Sequence, residues 1–486
     1  MLRRISRSVN PIISTLFLCL LTLSNSTHIN ANENHEHQLL KQISQLETEY
    51  KTLSTDFYKT SSKRTDKEHE KSIDIERLLI RTNRLVETHQ PIAAIQLLYE
   101  NKQAIKENLD HKSIFTFTEL LLNNNEWYLA NELLTAIHEE GDRSLSATTH
   151  FIFAKYHAPR NEWVQVNQLL QGVFTELSPE DAAYAYLLNG SALQHLKKHR
   201  EAVENYAKIA IDSQYYTYAQ LNTAIANIRQ DWWTDARTAI QDIIKLTRKN
   251  SEDELTNRLY LVLGYSLLQK EYYRDARDSF RHIGLNSRYT NRALLGIGLT
   301  ATSQSDYVGG LNALTILKDK KTSDLSVDES YLVLPYIYEK LQQQLTATTS
   351  YTQAMKYYKG RINKVTHLAD QSIKLTDIGY TEYTTNIIIK NNSLDYGKHF
   401  PKSFLNNHQR LIDFLANSKS ESLDKKINIL INKHNKLLKN IVSHLMEERI
   451  DHLKSYLNQS RYGLARIYDR SSENNTNSKQ NTERKK

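Results

Sequence analysis

What most constrains the fold of this chain is a two-residue signature repeated along it, a small residue followed four positions later by a large apolar one. The small positions are Ala94, Ala130, Val166, Ala202, Ala236, Ala276, Gly310 and Ala354, and the large ones Leu98, Leu134, Leu170, Tyr206, Ile240, Phe280, Leu314 and Tyr358. Successive small residues lie 36, 36, 36, 34, 40, 34 and 44 residues apart. Four residues is about one helical turn, so each pair marks a helix face that a neighbouring helix approaches closely at the small residue and packs against at the large one. A period of this length holds two helices and a turn, and such a unit buries its apolar side by stacking on copies of itself. The turns ahead of the marked helices recur as Asn125-Glu126-Trp127, Asn161-Glu162-Trp163, Asp231-Trp232-Trp233, Glu271-Tyr272-Tyr273 and Asp306-Tyr307. There the polar residue is expected to cap the helix and the aromatic to close the hairpin end.

From the fourth copy to the seventh a further small residue stands twelve positions ahead of the marker: Gly190 before Ala202, Ala224 before Ala236, Gly264 before Ala276 and Gly298 before Gly310. With Tyr206, Phe280 and Leu314, this pattern resembles the tetratricopeptide repeat (TPR), a helical hairpin of about 34 residues. The resemblance covers roughly residues 74 to 360 and is strongest from 181 to 315. It lacks the proline that closes each repeat of that family and the tryptophan at its fourth position. What the resemblance implies is an all-α solenoid of about eight hairpins, whose first helices line a groove through positions two, five, nine and twelve. Those positions fall on Tyr184, Leu187, Ser191 and Gln194, on Tyr218, Leu221, Ile225 and Ile228, on Arg258, Leu261, Tyr265 and Leu268, and on Arg292, Leu295, Leu299 and Thr302. Tyrosine and arginine anchor interfaces most often, so Tyr184, Tyr218, Arg229, Arg258, Tyr265 and Arg292 are the candidate partner-binding residues, and the leucines and isoleucines are expected to join consecutive repeats. Leucine at position five does not suit the family's clamp for terminal carboxylates.

The flanks read differently. Arg3, Arg4 and Arg7 precede an apolar run from Pro11 to Leu23, too short for a spanning helix, so residues 1–31 are expected to be a signal peptide cleaved after Ser26 or Ala31, or else an uncleaved anchor. The single cysteine, Cys19, lies inside that run, so the processed chain has no thiol chemistry. Residues 36–58 place Leu39, Ile43, Leu46, Tyr50, Leu53 and Phe57 on one seam, either an oligomerisation stalk or a helix capping the first repeat. Residues 59–73 are expected to form a flexible joint. In the eighth copy, Pro335 and the extra stretch QQLTATT predict a kink or a longer loop. Residues 361–470 are expected to be helical, with breaks at Asn391-Asn392 and Pro401, a long helix over 423–469 that packs on its predecessors, and a disordered polar tail over 471–486.

With 13 Gly and 6 Pro in 486 residues, almost no sheet is expected. The net charge of +8 comes from signs that alternate along the chain, which excludes the clustered basic face of a nucleic-acid binder. No HExxH, phosphate loop or Gly-x-Ser-x-Gly elbow occurs, and His35-Glu36-His37 reads as solvated histidines rather than a metal site. Glu329-Ser330 is similar to the catalytic pair of soluble lytic transglycosylases, but it lacks their surrounding motif and falls inside a repeat helix. The expectation is therefore a non-enzymatic periplasmic scaffold or adaptor of a Gram-negative envelope assembly, without cofactor or metal. Its partner would be an envelope protein or peptide segment, with self-association through the terminal helices. Rival readings are an accessory protein of secretion or exopolysaccharide export and, far behind, a peptidoglycan-acting enzyme.

Overall fold

The computed structural model describes residues 28–62, 74–140, 143–232, 234–236, 238–240, 242, 254–320, 324–369, 378–380, 386–389, 392–395 and 402–483. Among the described residues eight helical hairpins follow one another, the second helix of the fifth described only in part. Ile75–Glu87 pairs with Pro91–Glu100, Ser113–Asn123 with Trp127–Glu140, Arg143–His157 with Trp163–Leu169, and Pro179–His195 with His199–Tyr206. Tyr216–Arg229 precedes the helical residues around Ala236, and then Glu254–Gln269 pairs with Tyr273–Arg281, Thr290–Ser303 with Tyr307–Lys318, and Leu325–Lys340 with Gln344–Ala369. This is the all-α, TPR-like solenoid that the repeat implies, with a long C-terminal helix, Glu421–Glu483, beyond it.

All eight small markers are buried. So are seven of the eight large residues; in the second copy Leu133 is fully buried and Leu134 only half, a one-residue rotation about the helix axis. The glycines explain why the partner positions must be small. A methyl group built on Gly264 would lie 2.5 Å from Phe280 Cε1, and Gly190 and Gly298 are closed in the same way by Tyr206 and Leu314. Carbon atoms pack at about 3.5–4.0 Å, so only a residue without Cβ lets these helices come together.

The turns differ from the capping expectation. Each hairpin turns on one residue with left-handed backbone: His89, Asn125, Asn161, Lys197, Asp231, Glu271, Ser305 and Gln342. Its N–H, and that of the next residue, bond back to carbonyls of the first helix; Glu271 N–H reaches Leu268 O (3.1 Å) and Tyr272 N–H reaches Leu267 O (2.9 Å). This double bond pattern terminates the first helix, and none of the eight positions uses glycine, the residue that adopts the conformation without strain. Asn125, Asn161, Asp231 and Glu271 therefore end one helix instead of starting the next. Asp306 does cap, accepting the Gly309 N–H at 2.9 Å.

Other expectations need correction. The first described helix is His28–Ser62, which takes in residues 59–62 of the assigned joint; residues 1–27, most of the assigned leader, and 63–73 lie outside the described residues. Pro335 sits inside the continuous helix Leu325–Lys340, and most of the QQLTATT stretch forms the opening turns of Gln344–Ala369 rather than a loop. Within 361–420, strands Ile378–Tyr380, Asn386–Ile389 and Asn392–Asp395 form a small antiparallel sheet in place of helix, because the run Ile387-Ile388-Ile389 favours extended backbone. The assigned tail is helical as far as Glu483, since no Pro or Gly stops the helix; residues 484–486 lie outside the described residues. Among the described residues no helix is long and apolar enough to cross a membrane.

The helices divide into two compact units. One comprises Gln45–Val262 and His399–Lys436. In it the seam residues Tyr50 and Phe57 are fully buried, with the Phe57 ring 4.3 Å from that of Phe414, so this part of the seam is closed within the chain. Glu126, beside the second turn, is buried and accepts hydrogen bonds from Ser54, Thr55 (2.9 Å) and Tyr99 (2.6 Å). Burial pushes its carboxyl up, and these donors hold it down.

The other unit comprises Met1–Ser44, Leu263–Lys398 and Leu437–Lys486. Its C-terminal helix covers the eighth hairpin. The Arg449 guanidinium pairs with the fully buried Asp328, to which Tyr357 also donates at 2.5 Å, and Arg466 and Arg470 both reach Glu339 (2.5 and 2.9 Å). Gly463 lies under the Tyr351 ring. A solenoid's last repeat has no neighbour to cover it, and this helix supplies that cover.

Candidate partner-binding groove

In the second of these units, three consecutive first helices bring one face to a common cavity. Tyr265, Ser266, Leu268 and Gln269 come from Glu254–Gln269; Arg292, Leu295 and Leu299 from Thr290–Ser303; and Leu325, Ser326 and Glu329 from Leu325–Lys340. The cavity holds about 360 Å³, within the range of natural binding pockets. Leu268 and Leu295 are buried, while Leu299 and Leu325 are partly open to it.

Two of the six candidate residues meet here. The Tyr265 hydroxyl donates to the Arg292 carbonyl oxygen at 2.8 Å, its ring lies edge-on to Phe280 at 4.9 Å, and the Arg292 guanidinium stands 5.6 Å from the ring centroid. Burial pushes the Tyr265 hydroxyl well above its usual range, with Glu329 adding to the rise and Arg292 opposing it. The other four candidates lie in the first unit. Tyr184 is stacked on Tyr215 (4.8 Å) and edge-on to Phe151 (5.9 Å) in a packed cluster, so it joins hairpins rather than awaiting a partner. Tyr218, Arg229 and Arg258 are exposed. Arg258 is seven residues ahead of Tyr265 on the same helix.

Glu329 is the cavity residue that repeat counting missed. Stepping back twelve residues from Ala354 lands on Gln342, in the turn, because the eighth copy is longer than the rest. The sequence drew attention to Glu329 only through its neighbour Ser330. In the structure that pair splits: Ser330 is fully buried and donates to the Val327 carbonyl at 2.6 Å, while Glu329 lines the cavity. The Tyr456 hydroxyl donates to Glu329 Oε1 at 2.9 Å, and burial pushes the acid up to about 7 against the pull of that bond and of Arg292.

These hairpins are TPR-like in the close approach of small residues to large ones and in their order along the chain. No protein-family model matches the chain, and no curated protein sequence matches it. Among solved structures, Pseudomonas aeruginosa pilF is 16% identical and overlaps 46% of this chain and 97% of its own, at a TM-score of 0.34. Cut9, in a structure of the APC/C hetero-tetramer Cut9-Hcn1, gives 15%, 57% and 55% at 0.30. A Rap protein complexed with competence and sporulation factor gives 11%, 79% and 99% at 0.28. Overlaps of this depth carry no argument, and the fold assignment rests on the hairpin geometry itself.

Among the described residues, no group of three or more His, Cys, Asp or Glu side chains is placed to hold a metal ion. His35, Glu36 and His37 lie in the first helix, and their side chains fall outside the described part.

Proposed function

We propose that this chain is a non-catalytic adaptor that holds an extended segment of a protein partner along its first helices. The observation that supports this reading most is the composition of the cavity: all ten lining residues come from the first helices of three consecutive hairpins, the face that implies a groove in TPR-like solenoids. Rigid stacking presents that face without reorganisation, so ordering costs fall mainly on the partner. The site of action in this reading is the periplasm of a Gram-negative bacterium, within an envelope assembly, because Arg3, Arg4 and Arg7 followed by the apolar run Pro11–Leu23 have the pattern of an export signal.

The test is photo-crosslinking in intact cells from position Leu299 in the cavity, with the exposed Gly360 as control. One discrete envelope protein trapped at Leu299 and absent at Gly360 is expected. Identical adducts at both positions, or none at Leu299, would overturn the groove reading. Fractionation tests the address separately, and retention of the chain in the cytoplasm would overturn it.

A further inference from the structure

Building on the groove reading, we propose that the Tyr265–Arg292–Glu329 cavity receives an internal acidic residue of the partner segment at Arg292, with an adjoining large apolar side chain on Leu295, Leu299 and Leu325. The argument is one of charge left over. Arg292 is exposed at the cavity wall, and among the described residues no acid closes an ion pair with it. Its carbonyl is held by the Tyr265 hydroxyl and its guanidinium stands over the Tyr265 ring, so the cation is positioned by its surroundings yet not neutralised. A positioned guanidinium beside an apolar floor suits a carboxylate, which it grips through paired, charge-assisted hydrogen bonds.

The two acids that act on this cavity, Asp324 and Glu329, are engaged elsewhere. Asp324 accepts the Ser326 N–H and the Asn291 side-chain amide, both at 2.6 Å. Glu329 accepts from Tyr456, and burial keeps much of it protonated at neutral pH. The charged and titratable groups that act on Glu329 are Arg292, Asp324 and Tyr456; Tyr265 and Tyr358 are in turn raised by it. All three tyrosines are shifted upward and stay neutral. The cavity therefore becomes more positive as Glu329 takes its proton. A carboxylate at Arg292 binds the protonated form better, and its affinity falls as pH rises through 7.

The experiment is saturation-transfer NMR on the purified full chain with three blocked peptides: acetyl-Ala-Leu-Glu-Leu-Ala-amide and its Gln and Lys analogues. Blocked ends remove terminal carboxylates from consideration. The expected result is transfer to the leucine methyls of the Glu peptide at least about fivefold above the Gln peptide, with none for Lys. Affinity should fall about tenfold from pH 6 to pH 8, the change in protonated fraction for a group titrating near 7. Arg292→Gln should abolish the Glu-over-Gln preference; Glu329→Gln should keep it and flatten the pH profile. Equal transfer from all three peptides, no transfer from any, or a preference that survives Arg292→Gln would overturn the proposal. Should the peptides fail while Leu299 still traps an envelope protein, the acidic anchor falls and the groove reading stands. The reverse result would leave a carboxylate site without a protein groove.

Discussion

Alanine at Gly264 should destabilise this protein, although alanine is the better helix former. Gly264 lies inside Glu254–Gln269, where exchanging Gly for Ala would by propensity alone gain about 1 kcal/mol. The added methyl would sit 2.5, 2.7 and 2.8 Å from Cε1, Cδ1 and Cζ of Phe280, about 1 Å inside normal contact. That ring has no retreat. It is 1% exposed, Gly296 of the next hairpin closes its opposite edge, and Tyr265 packs edge-on at 4.9 Å. Overpacking of this kind costs about 1–3 kcal/mol, and a ring closed on both edges belongs in the upper half of that range, so the net loss is about 1–2 kcal/mol. Gly360 is the matched control, lying inside Gln344–Ala369 with nothing within 4 Å of a built methyl. There alanine should gain about 0.5–1 kcal/mol. Hairpin arrays open locally, so the assay is urea unfolding together with amide exchange of Tyr273–Arg281. Loss at Gly264 with gain at Gly360 is the expected result, and Phe280→Leu should cost less in the Gly264→Ala background than alone. Equal gains from both alanines would refute the close-packing argument.

Four further outcomes follow from the same physics. Ala202→Glu, which puts an unpaired acid at a fully buried site beside Tyr206, should cost several kcal/mol, about 3 or more, read as a lowered urea midpoint. Asp328→Asn should cost about 3–5 kcal/mol because it strands the buried Arg449, whereas Asp328→Asn with Arg449→Met should cost markedly less; equal costs would refute the pairing. Burial pushes the Glu329 carboxyl from its ordinary 4.5 up to about 7, so its contribution to stability is complete below about 4.5 and is lost as pH rises through 7. Glu329→Gln should therefore gain stability relative to the parent at pH 8 but not at pH 4, measured by urea midpoints at both. Glu271→Gly, at a turn residue with φ of 65°, should stabilise by up to about 1 kcal/mol, in contrast to the usual loss from glycine, and a loss would refute the strain assigned to that turn.

The repeat was legible in the sequence because its physics is local. A small and a large residue one helical turn apart specify a contact between neighbouring helices, so Ala202 with Tyr206 and Ala276 with Phe280 mark the solenoid in the sequence itself. The groove was half legible for the same reason: Tyr265 and Arg292 stand at regular repeat positions, and they meet at the cavity. Tyr184 stands at an equally regular position but is stacked on Tyr215, since occupying a groove position does not determine whether a neighbouring ring has already filled the space. The left-handed turn residues escaped notice because His89, Lys197, Glu271 and Gln342 adopt a conformation that their side chains do not advertise.

Tertiary structure alone decided the contacts that join distant parts of the chain. Asp328 and Arg449 are 121 residues apart, as Tyr456 and Glu329 are 127 apart, and no periodicity relates either pair. Glu329 lines the cavity from the first helix of the eighth hairpin and accepts a hydrogen bond from Tyr456 of the C-terminal helix, and its rise towards 7 comes from burial, a product of packing. Sequence determined the hairpin and its stacking, which depend on spacings of a few residues. The fold determined which side chains remain available to a partner, because that depends on what every other element has already covered.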